Sequence, residues 1–199
     1  MRLILGIGNE GERYRNNRHN VGFMFLDFLA NKYAISFNPS PNDFYLAEHK
    51  IGENHFSLIK PSNYVNNSGF SSVQAISNYN ATIDDLLVIH DDVYLTSGAF
   101  RVKLTGGDGG HKGVSSIIYH LASEDFLRLR IGVGGNEFSQ DNIADYVLSD
   151  FSNDDLKLMK DVFENCLKLT EAFICGGKKQ LLDVNSKLTK PNNNSDINS

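Results

Sequence analysis

The strongest constraint on the fold is a set of short apolar runs that each end in polar residues. Residues 2–8, RLILGIG, and 85–92, DLLVIHDD, are too short for core helices and carry no alternation, the pattern of strands buried in a sheet. A third run, FLRLRIGVGG at 126–135, places Arg128 and Arg130 on alternating positions. Helical spacing fills the intervals. Val21, Met24, Phe25, Phe28 and Leu29 predict a helix over 20–33, residues 67–79 predict a second, and VSSIIYHLA at 114–122 a third. FYLAEHKIGENHFSLIKP reads as two strands around a turn at Gly52–Asn54, ended by Pro61, and GAFRVK as a further strand. Strands alternating with helices predict an α/β fold: a single domain with a mixed, largely parallel twisted central sheet flanked by helices.

The last predicted element runs from Asp154 to Cys175, with a capping box of Ser152 and Asp155 at its start and Gly176-Gly177 as its stop. Leu156, Met159, Phe163, Cys166, Leu169 and Phe173 form its apolar stripe. The domain is expected to span 1–188, followed by a polar tail at 189–199 with too few hydrophobes to pack. Cys166 and Cys175 fall in one helix, too far apart along its axis for a bridge, and read as reduced thiols. No apolar run reaches membrane-spanning length, and the start MRLILGIGN is too short for a secretory signal, so a cytoplasmic protein is expected. A net charge of −5 argues against a broadly basic nucleic-acid binder but is compatible with a local basic patch.

In an open α/β sheet, ligands bind where strands end in loops on the carboxyl side. Four polar clusters fall at such places: GIGNEG at 6–11, NYVNNSG at 63–69, HDD at 90–92 and GGDGGHKG at 106–113. Gly6-x-Gly8-x-x-Gly11 formally fits a dinucleotide fingerprint, but about a dozen polar residues intervene before any helix begins, so a tight turn is the better reading. Asn9 is then a polar group at the sheet edge. His19 acquires chemical interest from a carboxylate at a second strand end, Asp91: a carboxylate that fixes one ring nitrogen frees the other to take a proton. A metal corner at HDD ranks below this acid–base reading, since no histidine–carboxylate ligand spacing recurs. No serine or cysteine stands in a nucleophile motif.

The stretch YRNNRHNVGFMFLD at 14–27 resembles the first signature of the bacterial-type peptidyl-tRNA hydrolases, and GIGNEG, NYVNNSG, VIHDDV, GGDGGHKG and RLRIGVG follow in that family's order over roughly residues 1–175. The resemblance implies hydrolysis of the ester between a peptide and the 3′ ribose of tRNA, with no cofactor or metal, by a cytoplasmic monomer. It implies His19 as general base, Asp91 as its orienting carboxylate, and Asn9 and Asn66 as hydrogen-bonding groups for the peptide and the attacking arrangement. Tyr14 and Tyr64 would line the cleft, and Lys103 and Arg130 would clamp phosphate, which reconciles an acidic chain with an RNA substrate. On this reading the polar stretch before the first helix faces substrate and does not serve packing.

Three positions depart from the family pattern. Glu10 stands where proline is usual, Ser115 where a basic residue is usual, and Lys112 replaces the asparagine of a His-Asn-Gly triplet. Lysine only donates and carries charge. Lys112 is expected to be a binding position, and it also keeps open a second class of function, a non-catalytic RNA-binding relative. The ordinary structural alternatives are turns and caps for Asn9 and Asn66, with Asn67 expected as a cap, packing for Tyr14 and Tyr64, and solvated strand faces for Lys103 and Arg130.

Overall fold

A computed structural model describes residues 1–135 and 139–189. Seven strands form one sheet: β1 (Arg2–Gly6), β2 (Asn38–Pro39), β3 (Phe44–Ile51), β4 (Asn54–Pro61), β5 (Leu86–Thr96), β6 (Phe100–Lys103) and β7 (Leu127–Gly134). Their order is β2-β3-β4-β1-β5-β7-β6. The centre is parallel, with β1 paired to β4 and β5, and β5 to β7, while β2-β3, β3-β4 and β6-β7 are antiparallel. The expected mixed, largely parallel sheet is therefore present.

The helices are α1 (Val21–Lys32), α2 (Ser68–Asn78), α3 (Lys112–Leu121), α4 (Ile143–Leu148) and α5 (Asn153–Leu188). They divide the core in two. Ile4, Leu87, Ile89 and the odd-numbered residues Leu127 to Val133 of β7 pack with α1 and α5. Leu3, Leu5, Leu86 and Val88 pack on the other side with Val114 and Ile117 of α3 and Ala75 of α2. β1 and β5 are thus apolar on both faces because both faces are covered. β7 is apolar on one face only, and its alternate residues Arg128 and Arg130 lie on the other.

Two features differ from the sequence expectation. Gly6 and Gly8 do not serve a tight turn. A Cβ on Gly6 would meet the carbonyl oxygen of Gly22 at 2.7 Å, and one on Gly8 the ring of Phe23 at 2.6 Å, so these glycines let α1 lie directly on the end of β1. The expected break at Gly176-Gly177 is present, but a second helical segment, not anticipated from the sequence, follows it within α5. Gly177 takes φ 65° and kinks the helix, which resumes to Leu188 because Leu181 and Leu182 beyond the kink still find the core. The Ser152–Asp155 capping box is formed, and Cys166 and Cys175 are free thiols on α5. Residues 190–199 of the expected tail lie outside the described residues. Among the described residues no helix is long and apolar enough to cross a membrane.

Candidate active site

A cleft of about 640 Å³ opens beyond the carboxyl end of β1, beside His90–Tyr94 of β5 and over Arg128 and Arg130 of β7. Every candidate site residue expected from the sequence lines it: Asn9, Tyr14, His19, Tyr64, Asn66, Asp91, Lys103, Lys112 and Arg130. Close backbone packing brings them together. A Cβ on Gly22 would meet the carbonyl oxygens of Ile7 and Ile89 at 2.5 and 2.6 Å, which seats the start of α1, and the turn carrying His19, against the ends of β1 and β5. Gly113 does the same for α3, where a Cβ would strike Ile7 and Val65 at 2.8 Å.

His19 Nδ1 lies 2.8 Å from Asp91 Oδ1. Asp91 is 3% exposed and His19 only partly buried. Burial pushes the imidazole's pKa down, but the charge and hydrogen bond of Asp91 outweigh it against the opposing charge of Lys112, so the net direction is up from 6.5. For Asp91, burial favours the neutral acid, yet the two imidazoles beside it prevail and hold its pKa well below the usual carboxylate range. Because a carboxylate only accepts, the neutral His19 ring donates through Nδ1 and keeps Nε2 as its lone-pair atom.

The second imidazole is His111, whose Nε2 lies 2.9 Å from the same Asp91 oxygen. Sequence reasoning read His111 only as part of a glycine-rich motif. Its signal was its place shortly before the helical run predicted at 114–122, where a capping side chain is expected. Gly109 and Gly110, with φ of 61° and 82°, turn the chain so that His111 caps α3 and faces β5. His19, Asp91 and His111 each offer a ligand atom within 4.8 Å of the others, a donor set of the kind metals recruit. As arranged, however, His19 Nδ1 and His111 Nε2 both point at one carboxylate oxygen at hydrogen-bonding distance. His90, noted from the sequence only within HDD, is 4% exposed, with its ring 4.8 Å from that of His111.

Asn9 is buried and tied on three sides. Its backbone N–H donates to Asn20 Oδ1 at 2.8 Å, its carbonyl accepts from Asn20 Nδ2 at 2.9 Å, and its side-chain Oδ1 accepts from the Val65 N–H at 3.1 Å. The last bond fixes the amide orientation and leaves Nδ2 as the atom with donor capacity to spare. Asn66 and Tyr64 are exposed at the rim, and Tyr14 is half-buried with the Arg13 guanidinium 4.5 Å above its ring. Asn67 occupies the N-cap position of α2 but makes no side-chain cap bond.

The basic groups differ in their freedom. Arg130 pairs with the buried Asp92, so it is not a free cation. Lys103 Nζ reaches the Gly107 carbonyl at 3.3 Å, and Arg128, 1% exposed, holds that same carbonyl at 2.9 Å. Lys112 is exposed at the cleft with no hydrogen-bond partner among the described residues. Glu10 accepts a hydrogen bond from Tyr45.

The polar stretch before α1 serves packing more than its sequence suggests. Asn17, Arg18 and Asn20 are all buried, and only Tyr14 and His19 of residues 14–20 line the cleft. Arg18 donates to Ser149 Oγ at 2.7 Å and to the Asp150 carbonyl, and its guanidinium lies 4.6 Å from the Tyr146 ring. It thereby fastens α4, whose Ile143, Ala144, Val147 and Leu148 form one wall of the cleft.

A family profile described as peptidyl-tRNA hydrolase matches residues 3–194. A peptidyl-tRNA hydrolase of Thermodesulfovibrio yellowstonii is 36% identical over 191 residues, covering 94% of this chain and 100% of that protein. One from Clostridium botulinum, strain Alaska E43, is 37% identical over 192 residues, covering 96% of each. The crystal structure of the peptidyl-tRNA hydrolase of Acinetobacter baumannii superposes with a TM-score of 0.85 at 31% identity, over 92% of this chain and 93% of that one. With a profile match over nearly its whole length, and the fold and the order of its motifs in agreement, this chain belongs to the peptidyl-tRNA hydrolase family.

Proposed function

We propose that this chain hydrolyses the ester between the peptide and the 3′ ribose of peptidyl-tRNA, without a metal ion, and that His19 is its general base. The observation that carries the reading is the His19–Asp91 pair: Nδ1 is held by a buried carboxylate, so Nε2 is the atom left to take a proton from water at the cleft. Loss of that proton makes the water a competent nucleophile for an ester carbonyl. The imidazolium so formed is stabilised by Asp91 and then returns the proton to the departing ribose oxygen. Asn9 Nδ2 is the donor best placed to meet the carbonyl oxygen as it gains charge. Asn66 and the rings of Tyr14 and Tyr64 hold the peptide and the tRNA terminus, with Lys103, Lys112 and Arg130 toward phosphate. Arg130 engages phosphate only by exchanging or sharing its bond to Asp92.

A metal-free reaction is favoured by the hydrogen bonding of the cluster, because ligation would require both histidines to give up their protons toward Asp91. Two free cysteines suit a reducing, cytoplasmic setting, and a cleft assembled within one chain suits a monomer.

The test is release of peptide from an N-acetylated aminoacyl-tRNA by the native chain, His19→Ala and Lys112→Asn, each with and without a chelator. Turnover that survives chelation and falls by about 10³-fold or more in His19→Ala supports the proposal. The exposed Lys112 favours one second reading, a non-catalytic RNA binder. Tight tRNA binding without turnover by the native chain or by Lys112→Asn would establish that reading and remove the first.

A further inference from the structure

His111 is fixed from both sides of its ring. Nδ1 lies 3.1 Å from the backbone nitrogen of Gly113 and 3.3 Å from that of Val114, both in the first turn of α3. Backbone N–H groups only donate, so Nδ1 is the acceptor and its lone pair is occupied. A neutral imidazole has one N–H, which must then sit on Nε2, the atom 2.9 Å from Asp91 Oδ1. The capping of a helix thus decides the tautomer of a ring in the cleft. Asp91 Oδ1 receives two N–H donors, one from His111 and one from His19, whose ring centroids are 4.9 Å apart.

Resting on the reading of His19 as the base, we propose that His111 is a positioning residue: its cap on α3 fixes its proton on Nε2, and through that proton it shares Asp91 with His19 and restrains the carboxylate's pull on the base. A buried carboxylate with His19 as its lone donor would concentrate its charge on that ring and hold the imidazolium too firmly for a base working near neutrality. The second donor takes part of that charge. It also holds Asp91 in place when His19 moves its proton.

The charged and titratable groups facing His19 are Asp91 from β5, and His111 and Lys112 from the start of α3. Behind His111 stands His90, whose Nδ1 donates to the Asp91 carbonyl at 2.7 Å. Burial, followed by the neighbouring His111, pushes the His90 pKa well below 6.5, so His90 adds no charge behind the pair. Its Nε2 is buried without a partner among the described residues, as a packed neutral ring allows.

Two measurements test the proposal on the full chain. In the first, kcat/KM for peptide release is followed from about pH 5.5 to 9 for the native chain, His111→Asn and His19→Ala. Asparagine supplies an oxygen to cap α3, and thermal unfolding reports whether the fold is kept. With His111 gone, the acid limb should move up by about half a unit to one unit, costing roughly three- to tenfold near pH 6.5 and less than about twofold near pH 9. A merely structural role would lower activity at every pH and leave the limb in place, which would overturn the proposal. The second measurement, long-range 1H–15N correlation on the native chain, needs no variant. His111 should show Nε2 bearing the proton and Nδ1 unprotonated, and the opposite tautomer would also overturn the proposal. Should His19→Ala keep the native rate, the base assignment itself falls. An acid limb that disappears with His19 yet stays put in His111→Asn rejects the role of His111 alone.

Discussion

Arg18 reaches across 132 positions of sequence to donate to the main-chain carbonyl of Asp150. The same guanidinium bonds Ser149 Oγ and lies 3.3 Å from an Asp155 carboxylate oxygen, while the Arg18 backbone N–H donates to the Ser149 carbonyl at 3.0 Å. One buried side chain therefore ties the turn that carries His19 to the segment that follows α4. Arg18→Met keeps much of the apolar stem and the backbone bond to Ser149 but removes every guanidinium donor. It is expected to cost about 2–4 kcal/mol, because the Asp150 carbonyl and Asp155 lose their buried partner. Activity should fall as well, since α4 walls the cleft. Thermal or urea unfolding checks the first claim and peptide release at saturating substrate the second. A change under about 0.5 kcal/mol would show that the clamp is dispensable.

His19 must be neutral to act as a base, and its pKa is raised above 6.5, with Asp91 overcoming the effect of burial. Activity is therefore expected to rise with pH through an acid limb above 6.5. The stability linkage runs the other way. A histidine with a raised folded-state value contributes stability that is fully present below its unfolded value and lost as pH rises through the folded one. Asp91, held low, contributes stability that is present above its unfolded value and lost as pH falls through its folded one. A kcat/KM profile paired with unfolding midpoints over the same pH range should show activity gained where the contribution of His19 to stability declines. A flat profile from pH 6 to 8 would sink the assignment.

The sequence was most informative where local physics and tertiary packing agree. The apolar runs of β1 and β5 are strands enclosed on both faces, and the polar clusters that end them do meet in one cleft. Side-chain partnerships were less legible, because pattern does not reveal which groups turn inward. Asn17, Arg18 and Asn20 read as substrate-facing, yet all three are buried, and the side chains of Arg18 and Asn20 fasten the 149–150 segment and the Asn9 backbone. Arg130 read as a phosphate-clamping cation or a solvated strand face, and its pairing with Asp92 on the neighbouring strand was hidden because it depends on strand register. The continuation of α5 past Gly177 was hidden because glycine reports a break in helical dihedrals, whereas the burial of Leu181 decides whether helix resumes.

Asn9 offers a test of the proposed oxyanion donor. Asn9→Asp keeps an oxygen able to accept from the Val65 N–H but replaces the Nδ2 donor with a second acceptor. The loss should fall on kcat, by about 10²- to 10³-fold, with KM much less affected. A variant that folds normally and loses only binding would place Asn9 in ground-state recognition.

Lys112, exposed at the cleft, bears on both the base and the substrate. It opposes protonation of His19, and it is the cation of the cleft with no hydrogen-bonded protein partner among the described residues. Replacing it with asparagine should therefore have two separable effects. The acid limb of kcat/KM should move upward, because one force keeping His19 neutral is gone. Binding of tRNA should weaken most at low ionic strength, and the slope of log K against log salt should become shallower by about 0.7, the change expected from one lost contact to a single-stranded phosphate. Lys112→Arg should restore the slope, since any cation serves a phosphate contact. Filter binding of deacylated tRNA between about 50 and 200 mM salt measures the slope independently of catalysis. An unchanged slope with a shifted acid limb would assign Lys112 to the base alone, and the converse would assign it to the tRNA.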